Sequence, residues 1–336
     1  MTGRPDTDVR VSGAGPGGPE VVVVGSASRD LAADDPRGWR LGGGVTYNAL
    51  TSARLGLRTA AIIGLDPQAF ESHELELLAA ADVDLLRVPL PQGPVFRNVD
   101  SPGGRIQTCL EPGRPLPHVA MPVAWRAARA WILAPVAGEL DDAWADAIPA
   151  DAFVALGWQG LLRTLRAGAL VDRRAPGPGH LVRRADVVSL SEHDVEPGTL
   201  PEDLAPFLHP GAWLVFTHGV AGGRLAEVTA DGLGRVVHYS AVEAAGEVDA
   251  TGAGDTFLAA LVASVVRPAA GGAAAGEAGP VPDLRFAAAA ASFTVEESGL
   301  KGVPDRAAVV RRLAVPAGQS LGEPPSSSTY SAKAPR

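Results

Sequence analysis

"DATGAGDTF", residues 249–257, sets two glycines, two threonines and two aspartates just ahead of an apolar run, 258–266. Extended chain, "GRVVHYSAVEAAGEV", precedes it, and "DTFLAALVASVV" reads as a helix after it. Gly252 and Gly254 let the backbone turn tightly and approach a ligand, so N–H groups at a helix start can converge on an anion such as phosphate. Asp255 would stand beside that anion, where a carboxylate can take the proton of an attacking hydroxyl. The alternative is an N-capped helix after a glycine turn, with Asp255 merely favourable to the helix dipole.

Two other nucleotide signals fail. "GAGPGG", residues 13–18, satisfies G-x-G-x-x-G in letters but precedes a strand and opens no helix, which weighs against a Rossmann dehydrogenase. Lysine occurs only at Lys301 and Lys333, and neither completes a G-x-x-x-x-G-K-[ST] loop.

Working outward, short β-branched runs alternate with helical stretches. Residues 21–24 are four consecutive valines, as a strand buried on both faces requires, and "TAAIIGL", "AWILAP", "AFVALG", "ADVVSL" and "AWLVFT" repeat the theme. "TYNALTSARLG", "SHELELLAAAD", "LDDAWADAI" and "PEDLAPFL" between them have helical length and period. The alternation predicts a mostly parallel sheet covered by helices. Residues 88–118 break it with close turn residues and short β runs, as a small β lid would.

The 336 residues are 46% hydrophobic and 20% charged, the profile of a globular protein. A net charge of −9 without a basic block argues against nucleic acid or an anionic membrane as partner. Cys109 is alone, so no disulfide framework or cysteine zinc site is expected, and no apolar stretch approaches the ~18 residues of a membrane span. The chain reads as cytoplasmic. The Gly/Pro-rich residues 1–20 and 316–336 are expected to be disordered tails, and 267–283 a surface loop.

"VDATGAGDTFLAAL" resembles the C-terminal signature of the ribokinase, or PfkB, carbohydrate kinase family, and further matches follow in order over about 21–315. The resemblance implies a ribokinase-like α/β fold, a three-layer α/β/α sandwich with a mostly parallel central sheet and a small β lid. The lid would be formed by insertions at about 31–42 and 88–118. "VVVVGSASRDL" is similar to the family's first strand, whose terminal aspartate, here Asp30, implies an acceptor for substrate hydroxyls. "GGGVTYNAL" resembles the substrate loop and places Gly43, Gly44 and Asn48 on the substrate. The signature implies Asp255 as general base and Gly252, Ala253 and Gly254 as anion hole, with Thr251 among the cofactor-binding residues.

"VVSLSEHDV" stands where the family carries an Asn-x-x-Glu motif that organises Mg²⁺ and phosphate through water. Here Ser191 and Asp194 replace both residues, with Glu192 between them; a hydroxyl and carboxylates are hard oxygen groups suited to Mg²⁺. The alternative is the polar N-terminus of a helix. "VFTHGVAGG" matches the ATP-phosphate turn at Thr217, Gly219 and Gly222. Gln159 and Arg163 in "GWQGLLR" follow a strand and so face the crevice side of an open sheet, as substrate contacts.

The expected activity is transfer of the ATP γ-phosphate to a hydroxyl of a small neutral polyol, a sugar or cyclitol, with ATP and Mg²⁺ as cofactors. A monovalent-cation requirement and a homodimer through the lid stay open. Tyr47 could stack on a nucleobase, keeping a nucleoside kinase as the alternative, or it could be core. A phosphorylated substrate would want a bidentate arginine, for which only Arg97, Arg105 and Arg163 are placed. A catalytically impaired nucleotide- or sugar-binding regulatory protein is the reading from another class.

Overall fold

The computed structural model describes residues 9–10, 17–101, 104–268 and 282–314. The expected tails and the 267–283 loop lie largely outside these residues. At their margins, Glu20 is buried and its carboxylate pairs with Arg267 at 2.6 Å.

A ten-stranded sheet runs through the molecule. Its middle is parallel, in the order Asp84–Pro89, Thr59–Leu65, Val21–Ser26, Ala130–Leu133, Phe153–Gly157, Val187–Ser191 and Trp213–Thr217. Gly223–Thr229 and Gly232–Tyr239 extend one edge antiparallel, and Val9–Arg10 pairs with the other. Val21 and Val23 belong to one core cluster and Val22 and Val24 to the other, all fully buried, so the continuous apolar run serves two helix layers. The helices Gly44–Arg54, Ala253–Val266, Leu284–Thr294 and Arg306–Ala314 cover one face. Shorter turns carrying Trp125, Trp144, Leu181 and Leu204 cover the other, giving three layers.

The parallel part of the sheet starts in its middle at Val21–Ser26, winds outward through Thr59–Leu65 and Asp84–Pro89, then returns to the opposite side at Ala130–Leu133. The carboxyl ends of Val21–Ser26 and Ala130–Leu133 therefore flank a topological switch point, where an open sheet leaves a crevice.

A second sheet stands over this end, ordered Ala169–Leu170, Gly104–Pro112, Pro94–Ser101, Ser28–Leu31 and Trp39–Gly42. It is the expected β lid, with one strand, Ala169–Leu170, that the sequence pattern does not reveal. One boundary is corrected. The first strand of the main sheet ends at Ser26, and Asp30 lies on the lid strand Ser28–Leu31, because the chain turns out of the sheet once its last paired residue is reached. Among the described residues no helix is long and apolar enough to cross a membrane.

Candidate active site

Two helix N-termini meet at the switch point. Gly44–Arg54 follows Gly43, which adopts φ +92°, and Ala253–Val266 follows Gly252, which adopts φ +81°. A side chain at Gly252 is excluded twice, by that left-handed backbone and by the Tyr47 ring, which a Cβ would approach to 2.3 Å. Tyr47 is only 2% exposed and forms the floor under the turn. It is core and cannot stack on a base. Gly254 is exposed, and a Cβ there would meet nothing within 4 Å, so the start of this helix opens onto free space.

Asp255 lies in the first turn of that helix. Its Oδ1 accepts a hydrogen bond from Asn48 Nδ2 at 3.1 Å, and the same amide donates to Gly44 O at 2.8 Å. A Cβ on Gly44 would come within 2.7 Å of Asp255 Oδ1, so the bare backbone there makes room for the carboxylate. Burial pushes the Asp255 carboxyl up to about 6, against the pull of Arg163 and of the Asn48 hydrogen bond, while Asp194 raises it further. Such a value suits a proton acceptor at neutral pH.

Asn48, expected to touch the substrate, is fully buried, with its amide N–H groups on Asp255 and Gly44. Asp30 enters from the lid with Ser28 Oγ 3.2 Å from its Oδ1, and Gly42 leaves it room, since a Cβ there would sit 2.1 Å from Oδ2.

Glu139 is a site residue that the sequence reading does not single out. Its buried carboxylate accepts from Ser26 N at 2.9 Å, Val136 N at 3.1 Å and Ala137 N at 2.8 Å, tying together the ends of the two strands that flank the switch point. Burial raises its pKa while those N–H groups oppose the shift. The available signal is an acid shortly after the apolar strand "AWILAP".

Further along the sheet, Ser191 and Thr217 are paired at the ends of neighbouring parallel strands. Asp194 Oδ2 accepts from Ser191 N at 2.8 Å and Oδ1 from Gln159 Nε2 at 2.9 Å, while Ser191 Oγ accepts from His193 N at 3.2 Å. This is a capping box. Glu192 turns away to His218, with Oε2 2.9 Å from Nδ1. The residues expected to organise Mg²⁺ are thus held in a cap, each Asp194 oxygen accepting one hydrogen bond and keeping a second lone pair, and among the described residues no group of three or more His, Cys, Asp or Glu side chains converges. Gln159 reaches Asp194 through its amide.

Thr217, Gly219 and Gly222 form a tight strand-end turn closed by His218 N donating to Gly222 O at 2.8 Å. Gly222 is buried, with Tyr239 O where a Cβ would go, whereas Gly219 faces open space. Thr251 donates to Asp249 Oδ1 from N at 2.9 Å and Oγ1 at 2.6 Å, shaping the approach to Gly252. Arg97 is on the lid strand Pro94–Ser101; the Arg105 side chain is outside the described set.

Residues 172–306 match the family model described as pfkB family carbohydrate kinase. Comparison with the curated proteins finds no match. Among solved structures, the chain is similar to a pyrophosphate-dependent kinase in the ribokinase family complexed with a pyrophosphate analog and myo-inositol. That pair has 20% identity, a TM-score of 0.66, and coverage of 87% of this chain and 99% of the other. Ribokinase from Arabidopsis thaliana, complexed with ribose and ATP, is similar at 21% identity and TM-score 0.61, covering 89% and 99%. The nucleoside kinase of Methanocaldococcus jannaschii is similar at 17% and 0.60, covering 88% and 99%. The fold is ribokinase-like, and the resemblance read from the glycine-rich signature is borne out.

Proposed function

We propose that the protein is an ATP-dependent kinase that phosphorylates one hydroxyl of a small neutral polyol, a sugar or cyclitol. The observation that carries this reading is the pinned Asp255 carboxyl beside a helix start that faces open space. In the proposed step the acceptor hydroxyl gives its proton to Asp255 as its oxygen bonds to the γ-phosphorus. The bond to ADP breaks with its electron pair on the ADP oxygen. The N–H groups at Gly252, Ala253 and Gly254 stabilise the charge in flight. Holding both reactants in line removes on the order of 7–11 kcal/mol from the barrier. Asp30 and the Gly43–Gly44 backbone line the acceptor side, and closure of the lid sheet would exclude water as a competing acceptor.

The burial of Tyr47 removes the side chain that favoured a nucleoside acceptor, leaving sugars and cyclitols ahead. Two of the three solved structures named above are complexes with myo-inositol and a pyrophosphate analog and with ribose and ATP, and both acceptors are neutral polyols; the third is a nucleoside kinase. The test is a phosphate-acceptor screen of the purified protein with ATP and, in parallel, pyrophosphate, against pentoses, hexoses, inositols and nucleosides. Transfer to a neutral polyol is expected. Transfer only to nucleosides would select the alternative substrate class, and binding without transfer in any pair would select the regulatory reading.

A further inference from the structure

Arg163 lies just past the carboxyl end of the strand Phe153–Gly157, after the turn Trp158–Leu162, and its half-buried side chain lies between Val136 O, beyond the end of the neighbouring strand, and the Phe96 ring of the second sheet. Four carboxylates act on it through space, those of Asp194, Asp255, Asp30 and Glu139. Yet it forms no ion pair among the described residues. Among the described residues its guanidinium donates one long hydrogen bond, from NH1 to Val136 O at 3.4 Å. Each carboxylate is satisfied elsewhere: Asp194 by Ser191 N and Gln159, Asp255 by Asn48, Glu139 by three backbone N–H groups, and Asp30 by Ser28. The guanidinium is steadied by the underside of the lid, with Cζ 6.0 Å from the centroid of Phe96, a ring that is itself buried. A half-buried guanidinium with no ion pair among the described residues, beside carboxylates that accept hydrogen bonds from neutral groups, has donors left for an incoming anion.

We propose that Arg163 grips the phosphoryl group as it passes from donor to acceptor, so that this chain places a guanidinium beside Asp255 at the transferring group. The inference rests on the kinase reading above for its catalytic part, and its anion-binding part stands separately. Asp255 marks the acceptor side of the crevice and Asp194 the donor side, and Arg163 acts on both. An arginine between them meets the charge shared by the two reactants, not an end group of either. Its planar fork matches two phosphoryl oxygens at once, which an ammonium cannot do.

The test pairs turnover with direct binding. In the Arg163→Gln protein kcat is expected to fall about 10²–10³-fold, the usual loss on removing one oxyanion donor. The acid limb of kcat/KM should also move to higher pH, because Arg163 lowers the Asp255 pKa. Arg163→Lys should recover part of both effects, and Arg166→Gln, on an exposed neighbour paired with Asp172, neither. Calorimetric titration with pyrophosphate is expected to show binding weakened about tenfold or more in Arg163→Gln, as for a lost hydrogen bond to a charged group. Wild-type kcat with an unmoved acid limb, or equal pyrophosphate affinity in both proteins, would overturn the proposal. So would Arg163-dependent binding of a sugar phosphate without any of pyrophosphate, which would put the arginine on the acceptor. Arg163-dependent pyrophosphate binding in a wild-type protein that transfers nothing would uphold the anion clamp and sink the kinase reading.

Discussion

Asn48 Nδ2 donates to Asp255 Oδ1 across 3.1 Å, joining two helices through residues that lie 207 positions apart in the chain. The amide orientation is fixed by chemistry. Both Asp255 Oδ1 and Gly44 O are acceptors, so the NH₂ must face them, and Asn48 Oδ1 is left without a partner in the core. Asn48→Ala removes a contact that lowers the Asp255 pKa, so the acid limb of kcat/KM should rise and kcat should fall, by roughly ten- to a hundredfold if positioning is its role. Asn48→Asp should be worse, since two carboxylates at this distance cannot both ionise. A pH–rate profile of either variant that overlays the wild type would remove Asn48 from this role.

Asp255 titrates near 6 instead of its ordinary 3.8. Wild-type kcat/KM is therefore expected to climb as pH rises through about 6 and to level off above it. Asp255→Asn should abolish turnover at every pH while donor and acceptor still bind. For stability the sign runs the other way. A carboxyl whose pKa is raised on folding favours the folded state below its unfolded pKa, and that advantage is lost as pH rises through the folded value. At about pH 8 the neutral asparagine should therefore raise Tm, and the gain should vanish towards about pH 4. Thermal melts at the two pH values check this, and a Tm unchanged at the higher pH would contradict the desolvated carboxylate.

Two glycines in one signature should behave in opposite ways. Gly252→Ala drives a Cβ into the Tyr47 ring on a left-handed backbone, and should cost several kcal/mol or prevent folding. Gly254→Ala has room at the second position of the helix, where alanine is at least as well accommodated, so the protein should be as stable or more so. If that space is where the donor's terminal phosphate lies, the same methyl should raise the donor KM. Melting curves with donor saturation curves separate the two, and an unchanged KM in the Gly254→Ala protein would argue against the anion hole.

Glu139→Ala strips the acceptor from three backbone N–H groups near the switch point, at about 1–3 kcal/mol for each one left unsatisfied. Glu139→Gln keeps the shape and one acceptor oxygen, and should lose less. Chemical denaturation of both variants gives the comparison. Equal stability of the alanine variant and the wild type would mean water replaces the carboxylate.

How much of this is written in the sequence differs from residue to residue. The valine run at 21–24 can be read because burial on both faces leaves a continuous apolar string, and four β-branched residues in a row favour a strand over a buried helix. The glycine signature at 252–254 can be read because tight turns at helix starts restrict residue type locally. Asp194 is ambiguous in sequence because a carboxylate three positions after a serine serves a cap as readily as a metal, and only the placement of Gln159 and Ser191 N shows that it caps. Tyr47 is ambiguous because an aromatic ring is apolar whether it packs or stacks. Its place under Gly252 depends on a helix more than two hundred residues later.

The sequence by itself determined the layered parallel fold, the glycine turn and the acid that follows it, since strand burial, helix period and backbone sterics act among near neighbours in the chain. Tertiary structure alone decided which groups share the crevice: Asn48 against Asp255, Glu139 across two strand ends, and Arg163 among carboxylates that already have partners. Hydrogen bonding and charge act through space, so the roles of these side chains exist only once the sheet's change of winding direction brings their strand ends together.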